Sequence, residues 1–263
     1  MSESASRDWN PGAYDRFRGL RLRPALDLLG QVTDIPGGDV VDLGCGTGAA
    51  GPVLRARFPD RRLIGLDASP AMLEGARGSG AYDRLVEGDI AGWKPESSPA
   101  LIFSNAALHW LGDHSRLLPA LADHLAPGGV LAVQMPGNFL APSHALLRAT
   151  AARIIPERLA QEPYLPPVLS PDAYIRLLTH LGRVEGWETT YIHRLDTPEG
   201  GGHPVRAFTQ STAMRPWLAG LSMDKAQAFV ADYEAGLEQA YPRQEGGSVL
   251  FPFRRVFFVL QRD

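Results

Sequence analysis

The sequence predicts an α/β fold built on a mainly parallel sheet, and two observations lead to this prediction. Short apolar runs alternate with helical segments across residues 39–136, the pattern of successive strand–helix units in one sheet. The first apolar run, residues 40–43, ends in three alternating glycines, Gly44, Gly46 and Gly48, before a helical segment. A glycine-rich turn between a buried strand and a helix N-terminus is typical of ligand-binding Rossmann-like sheets.

Acidic residues mark the ends of the first three predicted strands. Asp42 lies two residues before the first glycine, where a carboxylate repels a diphosphate but attracts an ammonium group. Asp67 follows the second strand, where a carboxylate can accept hydrogen bonds from a ribose diol. Asp89 ends the third strand and precedes Ile90, a pattern typical of contacts with an adenine edge. This order favours a nucleoside ligand that carries a positive charge.

The other elements follow from apolar runs and from helix-start and turn signals. A helix is predicted from about Gly48 to before Pro59, and the next has Ser69 as N-cap with Pro70 in its first position. The later elements are predicted as strands at 100–104, 130–135, 183–195 and 249–260, with helices at 113–125, 172–181 and 222–240.

Helical segments outside this alternation are predicted to form a cap over the carboxyl ends of the strands, where such sheets bind ligands. The chain is predicted to be a single domain spanning residues 1–263. Its sheet core covers about 30–136, 170–195 and 248–263, and its cap about 1–29, 137–169 and 197–241.

Two details of the cap can be predicted from side-chain patterns. Pro24 is expected near the first position of a helix that ends around Gly30, with Leu22, Leu26 and Leu29 on one face. In the last helix, residues 229, 233 and 237 form an apolar stripe that predicts core packing. Trp9 and Tyr14 precede the sheet, and they either form a lid over the ligand or cover apolar surface.

Composition limits the class of partner. A net charge of −3 without a basic run argues against nucleic acid, so a small-molecule substrate is expected. A polar N-terminus and the lack of an apolar run of 18 residues predict no membrane span and a cytoplasmic location. The lone cysteine, Cys45, is expected to be a small buried filler, and the histidine spacing predicts no metal site.

The strand, the Asp-x-Gly-x-Gly-x-Gly turn and the later acids resemble the S-adenosylmethionine (SAM) site of class I methyltransferases, which have a Rossmann-like, seven-stranded sheet. In that superfamily the turn and the first acid hold the methionine part of SAM, the second acid holds the ribose, and the Asp-Ile pair contacts adenine. The residues that the resemblance assigns to the cofactor are Asp42, Gly44, Gly46, Asp67, Ala68, Asp89, Ile90, Asn105, Tyr14 and Trp9.

Motifs elsewhere resemble one family, the trans-aconitate 2-methyltransferases, over nearly the whole chain. They are Trp9-Asn10-Pro11 with Tyr14, Arg21-x-Arg23-Pro24, Asn105-Ala106-x-Leu108-x-Trp110-Leu111-x-Asp113-His114, Ala132-Val133-Gln134-Met135-Pro136, Thr189-Thr190-Tyr191-x-His193, Arg215-Pro216-Trp217-Leu218, Tyr241-Pro242 and Arg255. The sequence departs from the family pattern at His109, where glutamine is expected, around 137–165, and at 253–255, where Pro-Arg is usual.

The resemblance implies methyl transfer from SAM to a carboxylate of a small tricarboxylic acid, foremost trans-aconitate, giving a methyl ester and S-adenosylhomocysteine. No acid–base residue is needed, because a carboxylate is already ionised at neutral pH. Arginine forks on the non-reacting carboxylates suit such a substrate, unless these arginines form structural ion pairs instead. The residues expected to position the substrate are Arg215, Arg255, Trp110, Tyr241, Arg23 and Trp217.

Other functions remain open at the level of sequence. The glycine turn also satisfies a loose dinucleotide pattern, so a nicotinamide oxidoreductase is one alternative and a non-catalytic SAM-binding protein is another. Within methyltransferases, the acceptor is alternatively another small carboxylic acid or a natural-product hydroxyl. Methylation of exocyclic amines or amides is disfavoured, because alanines rather than Pro-Pro-Tyr follow Asn105. The sequence does not predict the oligomeric state.

Overall fold

The computed structural model describes residues 18–159, 168–210 and 212–263. Trp9 and Tyr14 lie outside the described residues, and so does most of the predicted lid. The strands are β1 (Val40–Leu43), β2 (Leu63–Asp67), β3 (Arg84–Glu87), β4 (Leu101–Asn105), β5 (Val130–Pro136), β6 (Gly182–Leu195) and β7 (Val249–Arg262). In this part of the chain they form one seven-stranded sheet in the order β3-β2-β1-β4-β5-β7-β6.

The first five strands run parallel, and the last one reverses. Val41 of β1 lies beside Ile64 of β2 and Ile102 of β4, both in parallel register. β7 pairs antiparallel with β5, which places Phe258 beside Val133. Because the carboxyl ends of parallel strands share one edge of a sheet, the predicted acids and Asn105 are carried to that edge. The predicted α/β fold is confirmed.

The helices fall between the strands and in two long stretches that follow β5 and β6. They are α1 (Arg18–Leu29), α2 (Gly51–Arg57), α3 (Pro70–Arg77), α4 (His114–Asp123), α5 (Pro142–Ile154), α6 (Pro156–Leu159), α7 (Pro171–Leu178), α8 (Pro204–Gln210), α9 (Arg215–Leu218) and α10 (Met223–Ala240). Among these described helices, none combines the length and apolar composition needed to cross a bilayer.

The described residues group into two compact units. The first takes its described residues from Met1–Pro136, Pro167–Glu188 and Arg255–Asp263. The second takes them from Gly137–Pro166 and Thr189–Arg254. The predicted single-domain organisation, with its core and cap boundaries, stays a prediction.

Apolar residues of the strands and of two helices form the core of the first unit. Leu118 of α4 and Leu178 of α7 belong to one buried cluster with strand residues such as Val133. Tyr174 is also fully buried, and its hydroxyl lies 2.7 Å from Nδ1 of His114, so the two polar groups satisfy each other. The helices thus cover the sheet without leaving this polar pair unpaired.

The first helix differs from its prediction in two ways. α1 begins at Arg18, so Pro24 lies inside the helix and not near its first position. Proline lacks an N–H group, so one hydrogen bond of this helix is not made. The buried positions are Pro24, Ala25, Leu28 and Leu29, whereas Leu26 is 44% exposed. The predicted inward face was therefore wrong at Leu26, because the buried stripe starts one residue earlier.

The core of the second unit includes the contact between α10 and α5. Phe229, Tyr233 and Leu237 of α10 are fully buried, which confirms the predicted core stripe. Ser222 caps this helix, since its hydroxyl accepts a hydrogen bond from the N–H of Lys225 at 3.4 Å. One face of a long helix thus contributes a large part of the apolar core in this unit.

Burial along α10 predicts the cost of removing its side chains. Leu237→Ala should lower the free energy of unfolding by about 2–5 kcal/mol, because the substitution leaves a cavity. Met223→Ala is the matched control on the same helix, since Met223 is 74% exposed and should change stability by less than about 0.5 kcal/mol. Urea denaturation of the purified variants measures both values. Equal effects at the two positions would contradict this account of the core.

Candidate functional site

A tight turn after β1 brings its first glycine against another segment of the chain. The N–H groups of Gly44 and Cys45 both donate to the carbonyl oxygen of Leu66, at 2.8 and 2.9 Å. Gly44 has a φ of +79°, and a Cβ at this position would collide with the Cβ of Ala107. A left-handed backbone with so close a neighbour requires glycine. The turn is therefore held between the ends of β1, β2 and the segment after β4.

Gly46 is held by a hydrogen bond but faces open space. Its φ is +55°, and its N–H donates to Oδ2 of Asp67 at 2.9 Å. No heavy atom of the described residues would lie within 4 Å of a Cβ built at Gly46. The backbone at this point is therefore open to the close approach of a ligand.

Asp67 connects the glycine turn to the start of α3. Its Oδ2 accepts from Gly46, and its Oδ1 accepts from the N–H of Ser69 at 2.9 Å. The Ser69 hydroxyl accepts from the N–H of Met72, which confirms the predicted N-cap. A carboxylate has about four lone-pair sites, so Asp67 can also accept hydrogen bonds from ligand hydroxyls. Asp67 is half-buried and Ala68 is exposed, so both are within reach of a ligand.

Asp42 is buried and paired with a tyrosine that sequence patterns do not mark. The Tyr82 hydroxyl donates to Oδ2 of Asp42 at 2.6 Å, although the residues are 40 apart in sequence. Burial raises the pKa of Asp42 to about 7; the Tyr82 hydrogen bond lowers it, and the charge of Asp67 raises it. Near neutral pH this carboxyl group is therefore poised between its neutral and charged forms, so a nearby cation would favour the charged form.

The cysteine in the turn is unsuited to nucleophilic chemistry. Cys45 is buried, and burial raises the pKa of its thiol well above the ordinary range. The charges of Asp42 and Asp67 raise this pKa further. A thiol must lose its proton to act as a nucleophile, so Cys45 stays unreactive and fills space.

The third predicted acid has a local structural role and an apolar neighbour at the turn. Asp89 is exposed, and its Oδ1 accepts from the N–H of Ala91 at 3.0 Å, which caps the short helix Ile90–Gly92. Ile90 is half-buried, and its Cδ1 lies 3.4 Å from where a Cβ of Gly44 would be. The structure thus brings Ile90 to the glycine turn, beside Ala107.

The end of β4 carries an unpaired polar atom. Oδ1 of Asn105 is buried, and it accepts no hydrogen bond from the residues described. The next residue, Ala106, has a φ of +56°, an uncommon conformation for a non-glycine residue. Strained backbone and unpaired buried atoms both concentrate at functional sites. Asn105 therefore remains a strong candidate for contact with a ligand.

Three of the predicted substrate-positioning residues lie in the first unit. Arg255 is buried in β7, and its Nη1 lies 3.5 Å from Oε1 of Gln134. Trp110 is 50% exposed in the short helix Leu108–Trp110, and Arg23 is exposed on α1. Of these three, Arg255 is the buried one, and a buried charge has to be paired.

The other three candidates lie in the second unit. Arg215 is exposed at the start of α9. Trp217 is buried, and its carbonyl oxygen accepts from Nη1 of Arg158 at 2.8 Å. The Tyr241 hydroxyl accepts from the N–H of Ser143 at 3.1 Å, so this side chain also supports the start of α5. The structure thus assigns a packing role to Trp217 and Tyr241 besides any contact with substrate.

A cleft of about 650 Å³ lies within the second unit. Its walls are mostly apolar, with Arg254 as the charged member. The lining residues are Gly137, Asn138, Leu140, Ala141, Pro142, Thr190, Ala240, Tyr241, Pro242, Gln244, Leu250, Pro252 and Arg254. Tyr241 is the one predicted site residue among them.

Comparison with known protein sequences identifies relatives that match almost from end to end. Residues 14–183 match the family model described as a methyltransferase domain. The chain is 40% identical over 257 residues to trans-aconitate 2-methyltransferases of Escherichia coli O1:K1 and of Shigella flexneri. Each alignment covers 97% of this chain and 98% of the relative. Similarity of this extent includes both units and not only the sheet.

Solved structures agree with this at the level of the fold. The YcgJ protein of Bacillus subtilis is similar with a TM-score of 0.56 at 14% identity, covering 92% of this chain and 99% of the other. Phosphoethanolamine N-methyltransferase 2 of Haemonchus contortus, solved with S-adenosyl-L-methionine, has a TM-score of 0.56 at 16% identity. That alignment covers 96% of this chain and 56% of the other. The seven-stranded sheet is thus one that methyltransferases use.

The raised pKa of Asp42 predicts how stability depends on pH. The folded state keeps the Asp42 proton up to about pH 7, whereas the unfolded chain loses it near pH 4. The resulting stabilisation is complete below about pH 4 and is lost as pH rises to about 7. Between about pH 5 and 8, wild type should therefore lose roughly 2–3 kcal/mol relative to Asp42→Asn. Denaturation at both pH values measures this difference, and parallel pH profiles would contradict it.

The Tyr82 hydrogen bond supplies a second variant for the same measurement. Tyr82→Phe removes the contact that lowers the pKa of Asp42, so the loss of stability should shift to higher pH. An unshifted profile in Tyr82→Phe would mean that this hydrogen bond does not control the ionisation of Asp42.

Proposed function

The chain belongs to the trans-aconitate 2-methyltransferase family, and on this premise we propose that it transfers a methyl group from SAM to one carboxylate of trans-aconitate. The products are a monomethyl ester and S-adenosylhomocysteine. The observation that carries the proposal is the similarity at 40% identity over 97% of the chain, which extends well beyond the glycine turn. The proposed compartment is the cytoplasm.

The residues at the glycine turn fit SAM. Gly46 offers an open backbone, Asp67 keeps acceptor capacity for a ribose diol, and Ile90 provides an apolar surface at the turn. Asp42 would hold the ammonium end of the methionine part, and this cation would keep the carboxylate charged. Exposed Asp89 has acceptor capacity left for the adenine edge. The fit rests on donors, acceptors and space that the described residues provide.

The proposed reaction requires the residues of the site to align the two reactants and does not require them to transfer a proton. When bound, SAM supplies a methyl group on a positively charged sulfur, which a carboxylate oxygen can attack. A carboxylate has a reference pKa near 4, so no residue has to remove a proton from it. Holding two reactants in line can supply roughly 7–11 kcal/mol of the barrier. The residues around Asn105, at the end of β4, would exclude water and fix this alignment.

The substrate carries three negative charges, so its site needs cations that leave the reacting oxygen exposed. Arg255 is buried at the β5–β7 pair, where a carboxylate could reach it in low dielectric. Arg215 is the second proposed cation, and Arg23 the third. Trp110, Trp217 and Tyr241 are proposed to shape the site around the apolar part of the acid. Arg255 and Arg215 would bind the two carboxylates that do not react, with help from Arg23.

The reaction itself can be tested directly. Purified protein incubated with SAM and a panel of di- and tricarboxylates should yield a methyl ester of trans-aconitate with release of S-adenosylhomocysteine, detected by mass spectrometry. The panel contains citrate, cis-aconitate, isocitrate and tricarballylate as competitors. A faster reaction with another carboxylate would make that compound the proposed substrate in place of trans-aconitate. The absence of any methyl ester would overturn the proposal.

The cofactor assignment predicts the effect of changing Asp67. Asp67→Ala should weaken SAM binding by about 1–3 kcal/mol, because ligand hydroxyls and two backbone N–H groups lose their acceptor. Glu87→Ala is the matched control, since Glu87 is exposed at the end of β3 in register with Asp67. Isothermal titration calorimetry measures both affinities. Unchanged binding in Asp67→Ala would remove Asp67 from the cofactor site.

The proposed arginine pairs predict a change in KM. Each charge-assisted pair is worth about 1.5–3 kcal/mol, so Arg215→Ala or Arg255→Ala should raise the KM for trans-aconitate by about ten- to a hundredfold. The affinity for SAM should stay near the wild-type value. Arg176→Ala is the control, because Arg176 forms an exposed pair with Asp172 on α7. If both variants keep the wild-type KM, these arginines have structural roles.

A further inference from the structure

Three polar side chains lie side by side across neighbouring strands of the first unit. Asn105 ends β4, and its register partner on β5 is Gln134. Arg255 of β7 is paired with Pro136, two residues along β5 from Gln134. Neighbouring strands are about 4.8 Å apart, so the three residues form a continuous polar row. The row lies at the carboxyl ends of β4 and β5, where sheets of this kind bind ligands.

In the described part of the chain, the side-chain amide of Gln134 has a partner for its oxygen but none for its nitrogen. Its side chain is fully buried, and its Oε1 lies 3.5 Å from Nη1 of Arg255. Nε2 donates no hydrogen bond to any residue in the described part of the chain. The guanidinium of Arg255 determines that Oε1 and not Nε2 faces it, because a flipped amide would turn its own N–H groups toward a group that only donates. The donor of Gln134 is thus oriented by Arg255 and directed away from it.

An unpaired amide in a core lowers stability, because its N–H groups lose water without gaining a partner. A methionine or leucine would fill this volume without that penalty. Natural proteins keep such destabilising groups chiefly where function uses them. The missing partner must accept hydrogen bonds, and the guanidinium beside the amide favours an acceptor with negative charge. A carboxylate meets both conditions.

We propose that Gln134 is a specificity-determining residue whose Nε2 group donates a hydrogen bond to a carboxylate oxygen of the substrate. This inference rests on the proposed function and extends it, since Gln134 becomes the neutral partner of Arg255 in holding one carboxylate. On the next strand, the unpaired Oδ1 of Asn105 is an acceptor and suits the positively charged cofactor. The hydrogen-bond acceptor of Asn105 and the hydrogen-bond donor of Gln134 thus lie on neighbouring strands. In the proposed reaction, the methyl group of SAM and the substrate carboxylate must meet at this place.

The test uses two substitutions of similar size. Gln134→Met removes the donor and leaves an apolar side chain, and Gln134→Glu replaces the donor with a negative charge. Gln134→Met should raise the KM for trans-aconitate by about tenfold or more, and Gln134→Glu should raise it further. The affinity for SAM should not change in Gln134→Met, and its melting temperature should stay level or rise. A purely structural glutamine would instead lose stability with its KM unchanged.

Ser104→Ala is the matched control. Ser104 is also fully buried and precedes Asn105 on β4, but its hydroxyl already donates to the carbonyl oxygen of Leu43 at 2.8 Å. This variant should lose stability while its KM stays unchanged, the reverse of Gln134→Met. An increase in KM for Ser104→Ala equal to that of Gln134→Met would overturn the inference, because any change in this core would then affect the substrate.

Calorimetric titration of trans-aconitate into protein saturated with S-adenosylhomocysteine separates this inference from the proposed reaction. Binding by wild type that is lost in Gln134→Met supports the role of Gln134, even if turnover were to fail. Turnover failure with intact binding would overturn the proposed reaction alone. Equal binding by wild type and Gln134→Met would overturn the role of Gln134. A parallel loss of SAM affinity in Gln134→Met would also overturn it, because the residue would then serve the cofactor.

Discussion

The candidate site depends on the contact between one carboxylate and two backbone N–H groups. Asp67 accepts from Gly46 on one side and from Ser69 on the other, which links the turn after β1 to the first residue before α3. The N–H groups of Gly44 and Cys45 hold the start of the turn to Leu66 of β2, and Asp67 extends this attachment to the open backbone at Gly46. The same carboxylate is proposed to bind the ribose. Some of its lone pairs accept from the two backbone N–H groups, and the others would accept from the ribose hydroxyls. A ligand would therefore meet an acceptor that the backbone has already oriented.

Two buried polar groups lower the free energy of unfolding of this fold. Among the described residues, Asp42 is buried with the Tyr82 hydroxyl as its partner, and Nε2 of buried Gln134 has no hydrogen-bond partner. Apolar residues of the same size would pack in either position at lower free energy. Asp42 lies at the end of β1 and Gln134 near the end of β5, with β4 between them in the sheet. The proposed cofactor and substrate would each supply a partner for one of these two groups.

Local patterns predicted the strands, the glycine turn and the Ser69 cap, because each depends on residues close in sequence. The pairing of Asp42 with Tyr82 could not be predicted, since it joins residues 40 apart and no motif marks the tyrosine. The buried face of α1 was misjudged, because several leucines fit a helical stripe and only tertiary packing selects among them. That Nε2 of Gln134 has no partner among the described residues is visible only in the folded structure, because its neighbours come from other strands.

The order of the strands has a consequence for how the protein is made. β6 is an edge strand whose neighbour in the described sheet is β7, and α8, α9 and α10 separate the two strands in sequence. During synthesis, the 14 residues of β6 therefore have no neighbouring strand until β7 has left the ribosome. An unpaired strand edge is a template for association with other chains. The nascent chain is thus exposed to edge-to-edge association in the interval between the synthesis of β6 and that of β7.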